Sequence, residues 1–470
     1  MTELMAAVAL VLLVSPGLLF AALIVGRDGR SSFALVAGYG LMAGLLGVPV
    51  LMRLLDLLSL PLSFAVTGSS ALLLCLLLAY GVYRQRRSSP PGVPEPVGSG
   101  PLLPLERLFV LFLLAVIGLR IALLSVDVAL RPLFPWDATM HWATKARVWF
   151  EYLELHPFVD NEGWLTASAD HIFTDHHPGY PITIPLLQLW MASALGEWNE
   201  SLMNLPWVLC AVALAAAFYA QAREAGAGVL LALTFTYFLL SMPLLNTQVA
   251  LAGYADVFLG VCYAMALMAF HNWSVGRKRS QGLLALLFAL GCTLIKNEGV
   301  FWLLTFLPAL LVVLVPGRRA VLLLGGLAVL AVAVLLVFPR DLVVAGHSLN
   351  ELQVFYRPNA IEPIVDSFFV YDSWHLFAWL LSGLLLLTAV LRRDAFPELR
   401  GIGVALAAAT VLFLFLFLFT AYSGGALRLT AVSRISLQLV PAMMFLALLL
   451  ARALALPRGA AAAPTPSARA

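Results

Sequence analysis

One feature recurs through this chain: apolar runs of about twenty residues, the length that spans a bilayer as a helix. In lipid, every backbone N–H and C=O must be satisfied internally, which leaves helices or closed barrels. The runs fall near 5–25, 32–52, 61–83, 104–126, 201–220, 228–245, 254–272, 281–295, 300–316, 319–338, 371–391, 401–422 and 435–455. Charged residues are 11% of the chain and hydrophobic residues 62%, against roughly 25% charged in soluble domains. The expected fold class is an all-α polytopic membrane protein. The net charge of +3 is small, no basic stripe or nucleic-acid motif is present, and no nucleic-acid partner is expected. Cys75, Cys210, Cys262 and Cys292 all lie in apolar runs without CxxC spacing. They read as small buried hydrophobes, not disulfides or metal ligands. The first run has no basic stretch before it and no cleavage site after it, so it reads as a retained span.

Orientation follows from the basic punctuation. Arg84, Arg86 and Arg87 mark one loop. Later clusters are Arg277, Lys278 and Arg279, then Arg318 and Arg319, Arg392 and Arg393, and Arg452 with Arg458. Cytoplasmic loops collect Lys and Arg. Pro181–Gly196 is apolar but only about 16 residues long, marginal for a span. If it does not cross, every basic cluster lies on one side; if it crosses, the later clusters flip. The first choice makes 181–196 an interfacial or re-entrant helix and predicts about thirteen spans, with the N-terminus outside and the C-terminus inside. The pieces 127–200, Gly253–Asp256, Lys296–Gly299, 339–370 and 423–434 then share the outer face. Residues 1–103 form three spans and a basic, Pro-rich linker (Arg84–Pro104). Residues 104–455 form the core, with 127–200 as a long outer loop carrying interfacial helices, and 456–470 form an Ala/Pro-rich tail expected to be disordered.

The polar residues left on the outer face are the candidates for chemistry. Asp137, His141 and Lys145 recur every four residues within Phe134–Phe150, which as a helix puts them on one wet side. Trp142, Trp149, Trp164, Trp190 and Trp198 fit an interfacial aromatic belt. Asp137 is either an N-cap or a general base activating a hydroxyl group. Asp256, at the start of an apolar run, is again either a cap or a functional acid, since a carboxylate there is costly. Lys296 and Glu298 either pair with each other or meet a phosphate (Lys296) and a sugar hydroxyl or metal (Glu298). Arg428 and Arg434 put positive charge outside, against the topology bias. They suit an anionic partner such as a lipid phosphate, or headgroup snorkelling. Five of the eight histidines fall within 127–200, yet the run His171 to Pro181 matches no zinc motif. His177 and Tyr180 either fix the turn into 181–196 or line an acceptor groove.

Taken together, this pattern resembles the GT-C fold glycosyltransferases, among them protein mannosyltransferases, aminoarabinose transferases of lipid A and oligosaccharyltransferases. The likeness covers about 104–455. It rests on an acid just after an outward span, a second acid at the next outer loop, and basic residues in later outer loops. The resemblance implies Asp137 and Asp256 as catalytic acids and Lys296, Arg428 and Arg434 as donor-phosphate contacts. His141, Lys145, His177, Tyr180 and Glu298 would then bind substrate. His177–Pro181 resembles the segment that opens the second interfacial helix in two of these branches. The chain departs from the family in placing Ala138, not an acid, after Asp137, and in its three additional spans before residue 104. The resemblance implies a sugar donor on polyprenyl phosphate and a lipid, glycan or protein acceptor. No cofactor is required by it, and a divalent metal is left open. The expected location is a bacterial inner membrane with a periplasmic active site. The competing expectation is a transporter or flippase for a lipid-linked or anionic solute.

Overall fold

The computed structural model describes residues 2–28, 32–88, 102–168, 170–315, 317–337, 339–341 and 348–456. Most of the Arg84–Pro104 linker and the tail from 457 onward lie outside the described residues. Four helices open the chain: α1 (Thr2–Val25), α2 (Phe33–Leu57), α3 (Phe64–Ser88) and α4 (Pro104–Leu130). The loop after them holds α5 (Thr144–Tyr152), α6 (Asn161–Thr166) and α7 (Thr183–Leu195). Next come α8 (Pro206–Glu224), α9 (Val229–Leu240), α10 (Pro243–Ala250), α11 (Asp256–Gly276), α12 (Arg279–Cys292), α13 (Glu298–Leu304), α14 (Phe306–Leu314) and α15 (Arg318–Val337). The remainder is α16 (Leu349–Leu352), α17 (Ile361–Phe369), α18 (Phe377–Leu391), α19 (Phe396–Phe419), α20 (Ser423–Leu427), α21 (Val432–Leu437) and α22 (Val440–Ala455). Among the described residues the only β-structure is a parallel pair, β1 (Phe158–Val159) and β2 (Phe173–Thr174).

This is an all-α membrane protein. Seven helices of the described residues are long and apolar enough to cross a bilayer: α1, α2, α3, α4, α8, α11 and α19. The pair α9–α10, bent by 60°, is a broken span or a re-entrant loop. Other expected spans are short. Helices α12, α18 and α22 have 14, 15 and 16 residues, or roughly 21–24 Å at about 1.5 Å per residue, against a hydrocarbon core of about 30 Å. The run 300–316 is broken at Thr305 into α13 and α14. Large apolar side chains face outward along α3 and α4, among them Leu72, Leu76, Leu108, Leu119 and Leu123. Such surfaces need lipid as solvent. At the centre stands α11, buried along its whole length from Asp256 to Asn272 and packed by α8, α12, α19 and α22.

The bundle has two polar ends of different character. At one, Lys278 pairs with Glu224, Ser280 with Asp28, and Arg452 with Glu398, while Gln85 bonds the Leu23 carbonyl. The basic punctuation of the sequence gathers here. The other end receives the C-termini of α4, α12 and α19 and the N-termini of α8, α11 and α22. The loop after α4 is tied there to the α2–α3 turn: the Leu155 amide donates to Asp56 Oδ1 (3.1 Å) and the Leu62 amide to the Leu153 carbonyl (2.8 Å).

Helix α7 begins and ends its excursion at this second end. Thr183 Oγ1 donates to the Leu294 carbonyl beyond α12 (2.5 Å), and α8 starts where Trp207 Nε1 donates to the Tyr254 carbonyl (2.9 Å). So 181–196 does not carry the chain across. Of the two forms expected, a surface-lying helix is excluded, because α7 is enclosed on all sides from Thr183 to Ala192. An apolar stripe that runs right round a helix has no wet face to offer. The aromatic belt is corrected for the same reason. Trp142, Trp149 and Trp190 are core residues, and only Trp164 is an exposed large aromatic of that set. Trp190 donates to the Ala9 carbonyl (3.1 Å) and Trp149 to that of His156 (3.0 Å).

Candidate functional site

Asp137 sits at the exit of α4, where Pro135 and Trp136 lead into a π-helical turn over Ala138–Ala143 that continues as α5. The N-cap expectation fails: Asp137 has helical backbone angles and its side chain makes no capping bond. Its Oδ2 instead accepts from Arg434 Nη1 at 2.5 Å. Arg434 lies in α21, 297 residues away in sequence. The same guanidinium grips Asp256, donating from Nε (3.0 Å) and Nη2 (2.8 Å) to Oδ2, and stacks 4.6 Å from the Tyr254 ring centre. Burial works against a charged guanidinium, but the Asp256 and Asp137 carboxylates outweigh it and raise its pKa.

Asp256 is the first residue of α11 and is fully enclosed. Its Oδ1 accepts from Lys296 Nζ (3.0 Å) and Gln438 Nε2 (2.7 Å), so protein donors occupy both oxygens. Gln438 in turn accepts from Trp302 Nε1 (2.7 Å). This is how a bilayer-embedded protein keeps a buried carboxylate: every lone pair has a donor, and two donors are cations. The expected functional acid is thus an enclosed carboxylate whose two oxygens both face protein donors. Lys296, also enclosed, bonds Glu298 Oε1 at 2.8 Å besides Asp256. Burial disfavours its charge, yet Asp256 and Glu298 hold the ammonium strongly protonated. The Lys296–Glu298 pairing therefore exists, extended by Asp256. Glu298 Oε2 is buried without a hydrogen-bond partner among the described residues.

Two glycines bring these elements together. Gly253 has φ +118°, and a Cβ there would lie 2.4 Å from the Ala138 Cβ. Only glycine lets the Gly253–Ala255 turn close onto the residue beside Asp137. Gly260 lets α11 approach the α21–α22 link, where a Cβ would meet the Leu437 carbonyl at 2.6 Å.

A second cluster lies beside the first. Asp175 is buried; its Oδ1 accepts from His141 Nδ1 (2.5 Å) and the His177 amide (3.2 Å), and its Oδ2 is ion-paired with the Lys145 ammonium (2.5 Å). Burial alone would raise its pKa; the His141 and Lys145 bonds reverse that and hold it at about 2. Lys145 also donates to the His177 carbonyl (3.2 Å) and is 1% exposed. The expected row of Asp137, His141 and Lys145 on one wet side is thus corrected. The wide π turn sends Asp137 to Arg434, while His141 and Lys145 turn inward to Asp175. The His177 ring lies 5.1 Å from that of His141 and 4.7 Å from that of His176. Partial burial, His141 and His176 lower the His177 pKa, with Asp137 among the charges opposing the shift.

Tyr180 joins the two clusters. Its ring stacks on Trp142 at 5.3 Å and lies 5.0 Å from His177. Burial raises its phenol pKa, with the Lys296 charge opposing the shift and Glu298, Tyr422 and Asp256 adding to it. Of the predicted site residues, Asp137, Asp256, Lys296, Glu298 and Arg434 form one bonded cluster, with His141, Lys145, His177 and Tyr180 against it. Arg428 is corrected: it is exposed at the end of α20, and its Nε donates to the Gly424 carbonyl within its own turn (3.3 Å). Asp175, Gln438 and Tyr254 had not been singled out. Gln438 carried a signal, as a lone amide among Leu437, Leu439 and Val440. Asp175 stood in a run read for histidines alone. Among the described residues no three His, Cys, Asp or Glu side chains are grouped to hold a metal ion.

No family model, curated protein or solved structure matches this chain.

Proposed function

We propose that this protein is a multi-pass membrane glycosyltransferase of the GT-C kind, with about thirteen spans and its site on the periplasmic face of a bacterial inner membrane. It moves a sugar from polyprenyl phosphate to a lipid, glycan or protein acceptor. The observation that carries this reading is the asymmetric hold on Arg434. Nε and Nη2 are fixed on enclosed Asp256, whereas Nη1 reaches Asp137, whose side chain is 30% exposed.

In this reading, a phosphate oxygen of the donor takes the place of Asp137 on Nη1. The carboxylate so released accepts the proton of the acceptor hydroxyl. The acceptor oxygen bonds the anomeric carbon as the carbon–oxygen bond to phosphate breaks, which inverts that carbon, and Arg434 stabilises the departing phosphate. Lys296 and Gln438 hold Asp256 in place throughout. Glu298 Oε2, buried without a donor, suits a sugar hydroxyl, since an unmet buried acceptor is costly. The short helices α12 and α22 suit a site recessed toward the bilayer, where a lipid-borne phosphate is found. The gathering of polar groups at one end, not at the midplane, favours transfer over transport.

The test is incubation of the purified protein, in phospholipid vesicles, with a panel of polyprenyl-phosphate hexoses and pentoses labelled in the sugar. Label leaving the lipid with wild type and not with Asp137→Asn supports the proposal. Full activity in Asp137→Asn, or no release from any donor, overturns it.

A further inference from the structure

The Asp175–His141 pair has no part in the transfer step just described, yet it is built as a proton-handling dyad. When a carboxylate accepts from Nδ1, the neutral form of the imidazole carries its hydrogen on Nδ1 and its lone pair on Nε2. No hydrogen bond engages Nε2 among the described residues. The His141 side chain is 11% exposed, whereas Asp175 behind it is 1% exposed and fixed by Lys145 and the His177 amide. His141 lies one helical turn beyond Asp137 on the same stretch. The His177 ring lies 5.1 Å from that of His141, and the Asp137 charge also acts on it. Beyond His177 comes His176, and both are exposed.

We infer that His141, oriented by Asp175, is the relay that takes the acceptor's proton off Asp137 and passes it outward past His177 and His176. The inference rests on the proposed transfer reaction. Its physical motive is that donor and acceptor, once bound over Asp137, cover the opening through which that carboxylate meets water. A protonated Asp137 is also a poor partner for Arg434, so the site returns to rest only when the proton has gone. The O–H bond of protonated Asp137 breaks as an N–H bond forms on His141 Nε2, directly or through one water. The imidazolium faces the Asp175 carboxylate and then gives the proton to solvent beside the exposed imidazoles. No electron transfer is involved. His141 is the catalytic group in this step, and Asp175 and Lys145 are positioning residues.

The relay is tested with full-length protein in vesicles loaded with the labelled donor that wild type consumes, comparing wild type, His141→Ala and His141→Gln. A relay leaves the first turnover near the wild-type rate and slows later turnovers, by roughly a hundredfold for a lost proton-transfer group. Free imidazole then restores the later turnovers of His141→Ala, the variant with room for it. His141→Gln, which keeps a hydrogen bond to Asp175, guards against misfolding and shows the same slow later turnovers. Wild-type steady-state rates in either variant overturn the relay. So does a first turnover as slow as the rest with no response to imidazole, which marks a purely structural histidine. If wild type itself releases no label from any donor, the transferase reading has failed, an outcome separate from either of these.

Discussion

Arg434 and Asp256 form a two-nitrogen grip on one oxygen, with Nε at 3.0 Å and Nη2 at 2.8 Å from Oδ2. The remaining nitrogen, Nη1, is spent on Asp137 at 2.5 Å. One half of the guanidinium is thus held by an enclosed carboxylate, and the other by a carboxylate whose side chain is 30% exposed. The variants below separate the two halves.

Replacing Asp256 strikes the half held by the enclosed carboxylate. In Asp256→Asn, Lys296 and Arg434 lose their shared counter-charge in an enclosed setting, and the side-chain amide sets a donor against donors already there. Breaking a buried pair this way costs about 3–5 kcal/mol. Thermal unfolding in detergent should show a marked loss of stability, and a midpoint equal to that of wild type would show that the carboxylate does not organise this end.

Replacing Asp137 strikes the other half. Asp137→Asn should unfold within about 1 kcal/mol of wild type, as expected for a partly exposed ion pair. Sugar release should nevertheless fall by roughly 10²–10⁴-fold, the usual worth of a general base. Stability and activity measured on one preparation give the contrast with Asp256→Asn.

Gln438→Leu keeps the side chain's approximate volume but removes a donor to Asp256 and the acceptor for Trp302. The buried Trp302 N–H then lacks a partner, at about 1–3 kcal/mol, and Asp256 Oδ1 keeps only Lys296. Trp302 fluorescence should shift along with the unfolding midpoint, and an unchanged midpoint would count against the enclosed network.

Acidification should loosen the loop after α4 in two stages. The folded state holds His177 below the ordinary histidine pKa, so the unfolded chain binds the extra proton first. Stability from this group is complete above about pH 6.5 and falls as pH drops below it. Asp175, held at about 2, follows the same sign lower down. Its contribution is intact above about pH 4 and is lost between there and about pH 2, on the order of 2 kcal/mol in all. Hydrogen exchange of α5 and the β1–β2 pair, followed from pH 7.5 downward in steps of about one unit, should rise in that order. A loop whose protection increases on acidification would contradict both shifts.

Gly253→Val introduces a side chain at φ +118° against Ala138. Strain of about 1–3 kcal/mol is expected, and the turn should lift away from Asp137, lowering sugar release while most of the bundle stays folded. Circular dichroism beside the label assay distinguishes this from global unfolding.

Much of this was written in the chain. Hydropathy runs located the long helices, and 181–196 is shorter than these and enclosed by protein. The acids and bases at helix ends pointed to Asp137, Asp256, Lys296 and Arg434, because charge at the edge of an apolar run needs a partner or a purpose. What the chain did not disclose was pairing. Lys145 looked like a wet cation and is a buried partner of Asp175, since periodicity assumes an α-helix and the π turn breaks it. Arg428 and Arg434 look alike in sequence, six residues apart, yet only Arg434 meets the acids. Trp142 and Trp190 looked interfacial because composition cannot separate an aromatic facing lipid headgroups from one facing another helix.

The reach of Arg434 across 178 residues to Asp256 and 297 to Asp137 also dictates an order of events during synthesis. Asp256 enters the bilayer at the head of α11 with neither cation yet made. Lys296 arrives forty residues later, and the guanidinium only with the last helices of the chain. Until then the nascent protein carries an under-compensated carboxylate at the centre of its future site. A chain that ends before α21 therefore holds most of its helices but leaves Asp256 without the guanidinium that completes its set of donors.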